Sequence, residues 1–143
     1  MELFRIHGAA YDAFDTTGTA LFDGRWHTRG VRMVYAAGHV SLAALEVLVH
    51  AGGRKLPPKV LTRIVVGDGA RVEEAPWMEI DKSQRFGDRW VLEKRTAVLR
   101  VPSVVVQGLE FNYLLNPAHQ EFAGVVKGEA TAFRFDPRLL AMQ

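Results

Sequence analysis

Val40-Ser41-Leu42-Ala43-Ala44-Leu45-Glu46-Val47-Leu48-Val49-His50-Ala51-Gly52-Gly53 is the stretch that decides how this chain folds. Leu42, Leu45, Leu48 and Val49 recur at helical spacing and build one apolar face. Ser41 is the expected N-cap, and the paired glycines supply a stop. The pattern predicts a helix over residues 40–51. Before it, Met33-Val34-Tyr35-Ala36 falls in a short buried strand expected over 32–36. After it, Pro57-Pro58 closes a loop and a β-branched strand is expected over 60–66.

Further out the pattern changes. Residues 3–7 read as a short strand. Residues 9–25 hold Asp15-Thr16-Thr17-Gly18-Thr19 and read as a loop with room for one helical turn. Residues 77–81 favour no single element, and 88–96 fit a helix. Strands are expected over 98–101 and 104–106, broken by Pro102-Ser103, which puts Ser103 at a sheet edge or bend. Asn116-Pro117 reads as a turn, 132–135 as a last strand, and Asp136-Pro137 as the start of a short helix. Strands outnumber long helices without alternating with them. The expected class is α+β, a compact mixed β-sheet core with flanking helices, in one domain over 1–143.

The bulk numbers fit that reading. The chain has 143 residues, 48% apolar and 24% charged, ordinary for a globular fold and against disorder. It has no cysteine, which excludes disulfides and thiolate zinc sites and accords with a reducing cytoplasm. No signal-peptide layout opens the chain and no apolar stretch has membrane-spanning length, so the expectation is a cytoplasmic protein without membrane contact. The net charge is +2 and the calculated pI 9.2. Its Arg and Lys residues are scattered, which disfavours direct nucleic-acid binding and still allows a basic pocket for one phosphorylated ligand.

Three polar side chains stand out on otherwise apolar ground. Glu46 projects beside the apolar face of its helix, between Leu42, Ala43 and Val49. It either bends to water or pairs with His50 at i+4, or it meets a donor, a cation or a ligand. Arg25 follows Gly24, whose bare backbone allows close approach, and precedes Trp26. It can grip a phosphate through two parallel hydrogen bonds or stack on its own tryptophan. Tyr35 is either a core tyrosine or a ring that stacks on a flat cationic base. A second polar concentration lies at Ser103 and at Asn112 to His119, with Asn112 read as a donor to loop backbone. Ser103 lacks a Gly-x-Ser-x-Gly context, the histidines lack zinc spacing, and no Walker or dinucleotide fingerprint is present.

In order, Leu3-Phe4-Arg5-Ile6, Gly24-Arg25-Trp26, Val34-Tyr35, the helix from Ser41 to His50 with Glu46, Val101-Pro102-Ser103, Asn112-Tyr113-Leu114-Leu115-Asn116-Pro117-Ala118-His119 and Phe135-Asp136-Pro137-Arg138-Leu139 resemble the RES-domain family almost from end to end. The arginine, glutamate and serine of that name map to Arg25, Glu46 and Ser103. One departure is Asp23, where a second glycine is expected. The resemblance implies an ADP-ribosyltransferase-like fold with an NAD cleft. It implies the toxin of a toxin–antitoxin pair, held with an Xre-like helix-turn-helix antitoxin in an oligomer that blocks the active site. The implied activity is cleavage of the nicotinamide–ribose bond of NAD by hydrolysis or phosphorolysis, with NAD as substrate, no cofactor and no metal. Arg25, Tyr35 and Glu46 take the catalytic positions, and Arg5, Gly24, Ser103 and Asn112 bind NAD.

Two alternatives stand beside it. One is transfer of ADP-ribose to a host protein. The other, of a different class, is a non-catalytic nucleic-acid or protein interaction module, supported by the pI and three tryptophans alone.

Overall fold

The computed structural model describes residues 1–140. In chain order the elements are β1 (Glu2–Gly8), α1 (Thr17–Leu21), β2 (Val34–Ala37), α2 (Val40–Ala51), β3 (Lys59–Val66), β4 (Val72–Glu74), α3 (Ile80–Leu92), β5 (Val98–Pro102), β6 (Phe111–Leu115), a 3₁₀ turn (Gln120–Gly124), β7 (Val125–Lys127), β8 (Thr131–Phe133) and α4 (Pro137–Leu140). The strands form one eight-stranded sheet in the order β4-β5-β6-β2-β1-β3-β7, with β8 on β3 beside β7. Only β4 and β5 are parallel among these pairings. The α+β class with a mixed sheet is as expected.

Alternation along the strands divides the buried side chains between two faces. One face holds Leu3, Val34, Ala36, Ile64, Val98 and Leu115. On the other, Ile6 and Ala37 pack under Leu42 and Ala43 of α2, while Leu99, Val101 and Leu114 pack under Trp90 and Val91 of α3. Both longer helices therefore cover the same side. β1 and β2 meet at the single pair Phe4↔Ala37, whereas β1 runs alongside β3 for its whole length. The sheet is thus two well-laddered halves joined at a narrow seam.

Several local expectations need correction. α2 spans Val40–Ala51 as expected, but His39 rather than Ser41 occupies its N-cap, without a side-chain cap. The chain enters this helix straight from the sheet, where the Gly38 N–H donates to the Phe111 carbonyl at 3.2 Å, so the sheet sets its start. At the other end Gly52 takes φ +56°, the left-handed stop that its lack of a Cβ permits. α3 starts at Ile80, well before residue 88, because its first inward positions are Ser83 and Gly87. Small residues leave no apolar period to read. It ends at Leu92, short of residue 96, and Lys94 leaves it at φ +51°.

Residues 104–106 are a turn and not a strand. β5 must reverse to pair Pro102 with Phe111, and the Gly108 N–H closes the loop on the Ser103 carbonyl at 2.7 Å. β6 was not anticipated at all. It lies between β2 and β5, and its Leu114 and Leu115 are buried on opposite faces of the sheet, which hides the two-residue alternation of a strand.

Candidate functional site

Glu46 lies one turn beyond Leu42 and Ala43, the residues that seat α2 on the sheet, and so faces the strands. Its Oε2 accepts from the Ser103 hydroxyl at 3.1 Å and from the Asn112 amide. Asn112 stands opposite Ala37 on β6, on the side that α2 covers, and donates to this carboxylate rather than to loop backbone. Ser103 is 1% exposed, at the bend after β5, where its N–H donates to the Glu110 carbonyl at 2.9 Å. Both protein donors converge on one oxygen. Among the described residues Oε1 has no partner, and His50 does not pair with Glu46. A carboxylate held this way is steered and half-satisfied, which leaves one oxygen for a hydroxyl or a growing positive charge.

Tyr35 stands opposite Leu114, one strand step along from Ala37 and Asn112 and on the same face. Its hydroxyl accepts the Trp26 N–H at 3.1 Å and lies 2.7 Å from Nδ1 of His27. Burial raises its pKa far above the ordinary tyrosine value. Gly24 makes this arrangement possible. A Cβ there would fall 2.4 Å from the His27 ring and 2.8 Å from the Tyr35 hydroxyl. The bare backbone thus makes room for the protein's own side chains.

Arg25 leans toward α3. Its Nη1 donates to the Ser83 hydroxyl and its Nη2 to the Met78 carbonyl, with the guanidinium 5.5 Å from the Trp26 ring centroid and 5.8 Å from that of Trp77. Stacking on its own tryptophan is therefore present, joined by a second indole. The Ser83 hydroxyl donates on to the Arg25 carbonyl at 2.6 Å, and the Gln84 amide to that of Gly24 at 2.9 Å, so α3 clasps the whole turn.

Arg5 lies at the seam. Its Nη1 donates to the Tyr35 carbonyl at 2.7 Å, tying β1 to β2 beyond their one ladder pair. Its Nε is buried without a partner. Burial lowers its pKa to about 10, and Asp15 opposes that effect. This is a cation without a contacting carboxylate among the described residues, and it is suited to an anion.

The structure therefore joins Glu46, Ser103 and Asn112 in one cluster, and Gly24, Tyr35 and the Trp26 backbone in a second, linked through the Tyr35 carbonyl to Arg5. Arg25 borders the second cluster from the α3 side and has no direct contact with Glu46 among the described residues. A hollow of about 560 Å³ beside it is lined by Leu21, Phe22, Asp23, Thr28 and Arg29, none of them in the expected set. Sequence reasoning missed His27, Ser83 and Gln84. The Ser83 and Gly87 pair, small residues four apart, was the one available signal of a helix packed tightly on backbone. Among the described residues no cluster suits a metal ion, and no helix is long and apolar enough to cross a membrane.

Comparison with known proteins shows the family and the fold. The RES domain family matches residues 2–136. A "Prs ADP-ribosylating toxin" of Sphingobium sp. (strain YBL2) is 35% identical over 91% of this chain and 89% of its own. A "Toxin Res" of Yersinia enterocolitica is 33% identical over 97% and 99%. Among solved structures, the crystal structure of the M. tuberculosis MbcT–MbcA toxin–antitoxin complex contains the same fold, with TM-score 0.76 and 17% identity over 98% of this chain and 86% of that one. With its ordered motifs, its mixed sheet and a family match that spans nearly all of its length, this chain belongs to the RES-domain family.

Proposed function

We propose that this protein is the toxin of a toxin–antitoxin pair and that it cleaves the nicotinamide–ribose bond of NAD, working as a single RES domain over 1–143. The observation that carries the reading is Glu46, whose Oε2 is fixed by Ser103 and Asn112 while Oε1 stays open. Cleavage of that bond passes through an oxocarbenium-like state, as glycoside cleavage does. Nicotinamide leaves as a neutral base from a cationic ring, so no general acid is needed. Oε1 accepts a ribose hydroxyl and stabilises the charge growing at the anomeric carbon. Ser103 and Asn112 hold the carboxylate, and the Tyr35 ring flanks the nicotinamide. Arg5 and Arg25 supply positive charge for the pyrophosphate, and the Gly24 backbone beside Arg25 contributes to the same binding site. The acceptor is water or phosphate. The partner is an Xre-like antitoxin that covers the site in a shared oligomer, and the compartment is the cytoplasm, where NAD is at hand.

A second reading is favoured by the name of the Sphingobium relative: transfer of ADP-ribose to a protein. Both are tested by incubating purified protein, freed of any co-purified inhibitor, with adenine-labelled NAD. Free ADP-ribose or its phosphate supports cleavage. Label on protein supports transfer. No nicotinamide release under either condition rejects both.

A further inference from the structure

The His27 ring is 3% exposed, carries no carboxylate partner among the described residues, and plays no part in the reading above. Its two nitrogens have unlike neighbours. Nε2 is 2.8 Å from the Phe22 carbonyl, and Nδ1 is 2.7 Å from the Tyr35 hydroxyl. A carbonyl only accepts, so Nε2 must carry the proton. Neutral imidazole then offers a bare Nδ1, and the tyrosine hydroxyl donates to it. The same hydroxyl oxygen accepts the Trp26 N–H. Every proton in this chain of bonds has one place to go, from the Trp26 amide through Tyr35 and His27 to Phe22.

We propose that His27 is a positioning residue, which as its Nε2–H tautomer takes the Tyr35 hydroxyl proton and thereby fixes the ring that flanks the nicotinamide. This rests on the NAD-cleavage reading for the ring's role and adds a residue to it. The hydroxyl is an anchor facing away from substrate, and the aromatic face does the work. Gly24 belongs to the same device, because a Cβ at that position would displace the imidazole.

The test has two arms. In the first, nicotinamide release is measured for wild type, His27→Leu, Tyr35→Phe and the double variant, with thermal melting as a check on folding. Each single change is expected to lower kcat/KM about tenfold, and the double change to cost no more than either, since both break one bond. Losses that multiply to about a hundredfold overturn the proposal. His27→Asn places an acceptor oxygen near the position of Nδ1 and is expected to restore most of the activity; an Asn variant that melts like wild type yet is as slow as His27→Leu also overturns it. In the second arm, nitrogen NMR of the wild-type imidazoles, assigned with His27→Asn, is expected to show a protonated Nε2 and a bare Nδ1 at neutral pH. A charged ring or the opposite tautomer refutes the bond itself. That arm needs no turnover, so it still decides the hydrogen-bond chain if the wild type releases no nicotinamide and the NAD reading fails.

Discussion

At Glu46 a single atom separates a structural role from a chemical one. Glu46→Gln lets the amide oxygen keep its bonds to Ser103 and Asn112, which puts an NH₂ donor where Oε1 stood. The fold should survive, because the steering contacts survive. Turnover should fall about a thousandfold, a loss typical of removing one preorganised charge-stabilising group. Nicotinamide release together with the melting midpoint checks this, and a variant that melts normally and retains full activity would remove Glu46 from the mechanism. The residue was legible in the sequence, because a carboxylate beside an apolar helix face must find a partner. Its donors were only half legible. Ser103 was placed at a bend, but Asn112 sat in a segment read as loop, and nothing local showed that β6 would carry it under α2. His27 was not legible, since its significance depends on Tyr35 and Phe22 meeting it in space.

Among the elements, α2 and α3 contrast in how they announce themselves. α2 advertises itself by leucine periodicity and a glycine stop, and the structure keeps both of its expected ends and changes only the capping residue. α3 hides its first half, because it approaches the Trp26 backbone too closely for side chains. At Gly87 an added Cβ would stand 1.7 Å from the Trp26 carbonyl oxygen, with backbone on both sides of the clash. Gly18 in α1 meets nothing within 4 Å. The same substitution should therefore have opposite signs at the two positions. Gly18→Ala gains up to about 1 kcal/mol from helix propensity and reduced unfolded-state freedom. Gly87→Ala gains the same propensity but must push α3 off the Arg25 turn, with a net loss of about 2 kcal/mol or more. Urea unfolding reads both. Equal effects would mean that α3 does not dock as tightly as its geometry requires.

At the level of the whole molecule, the seam between the two halves of the sheet is held by a cation that the fold would rather shed. Burial brings Arg5 from the ordinary arginine value down to about 10, a cost of about 3 kcal/mol. Because the charged form is the disfavoured one, that cost is fully present below about pH 10 and is relieved only as pH rises beyond it towards the ordinary arginine range. Arg5→Met fills the site with apolar atoms and removes the charge, although it leaves the Tyr35 carbonyl without its donor. The expected balance is a gain of about 1 kcal/mol, roughly 4 °C in the melting midpoint. An anion bound at the seam offsets the same cost, so NAD or inorganic pyrophosphate should raise the wild-type midpoint and leave Arg5→Met unmoved. His7 adds a signature on the acid side. Burial first and the Arg5 charge second hold its pKa below 6.5, so protonation favours the unfolded chain. The neutral ring's contribution is present above pH 6.5 and is lost as pH falls below that value towards the folded-state pKa. Melting between pH 7.5 and 5 should therefore show a falling midpoint in wild type and a shallower fall in Arg5→Met, where one of the two causes is gone. A variant that melts lower than wild type, still responds to pyrophosphate and keeps the full acid slope would show that Arg5 serves the fold and not the ligand.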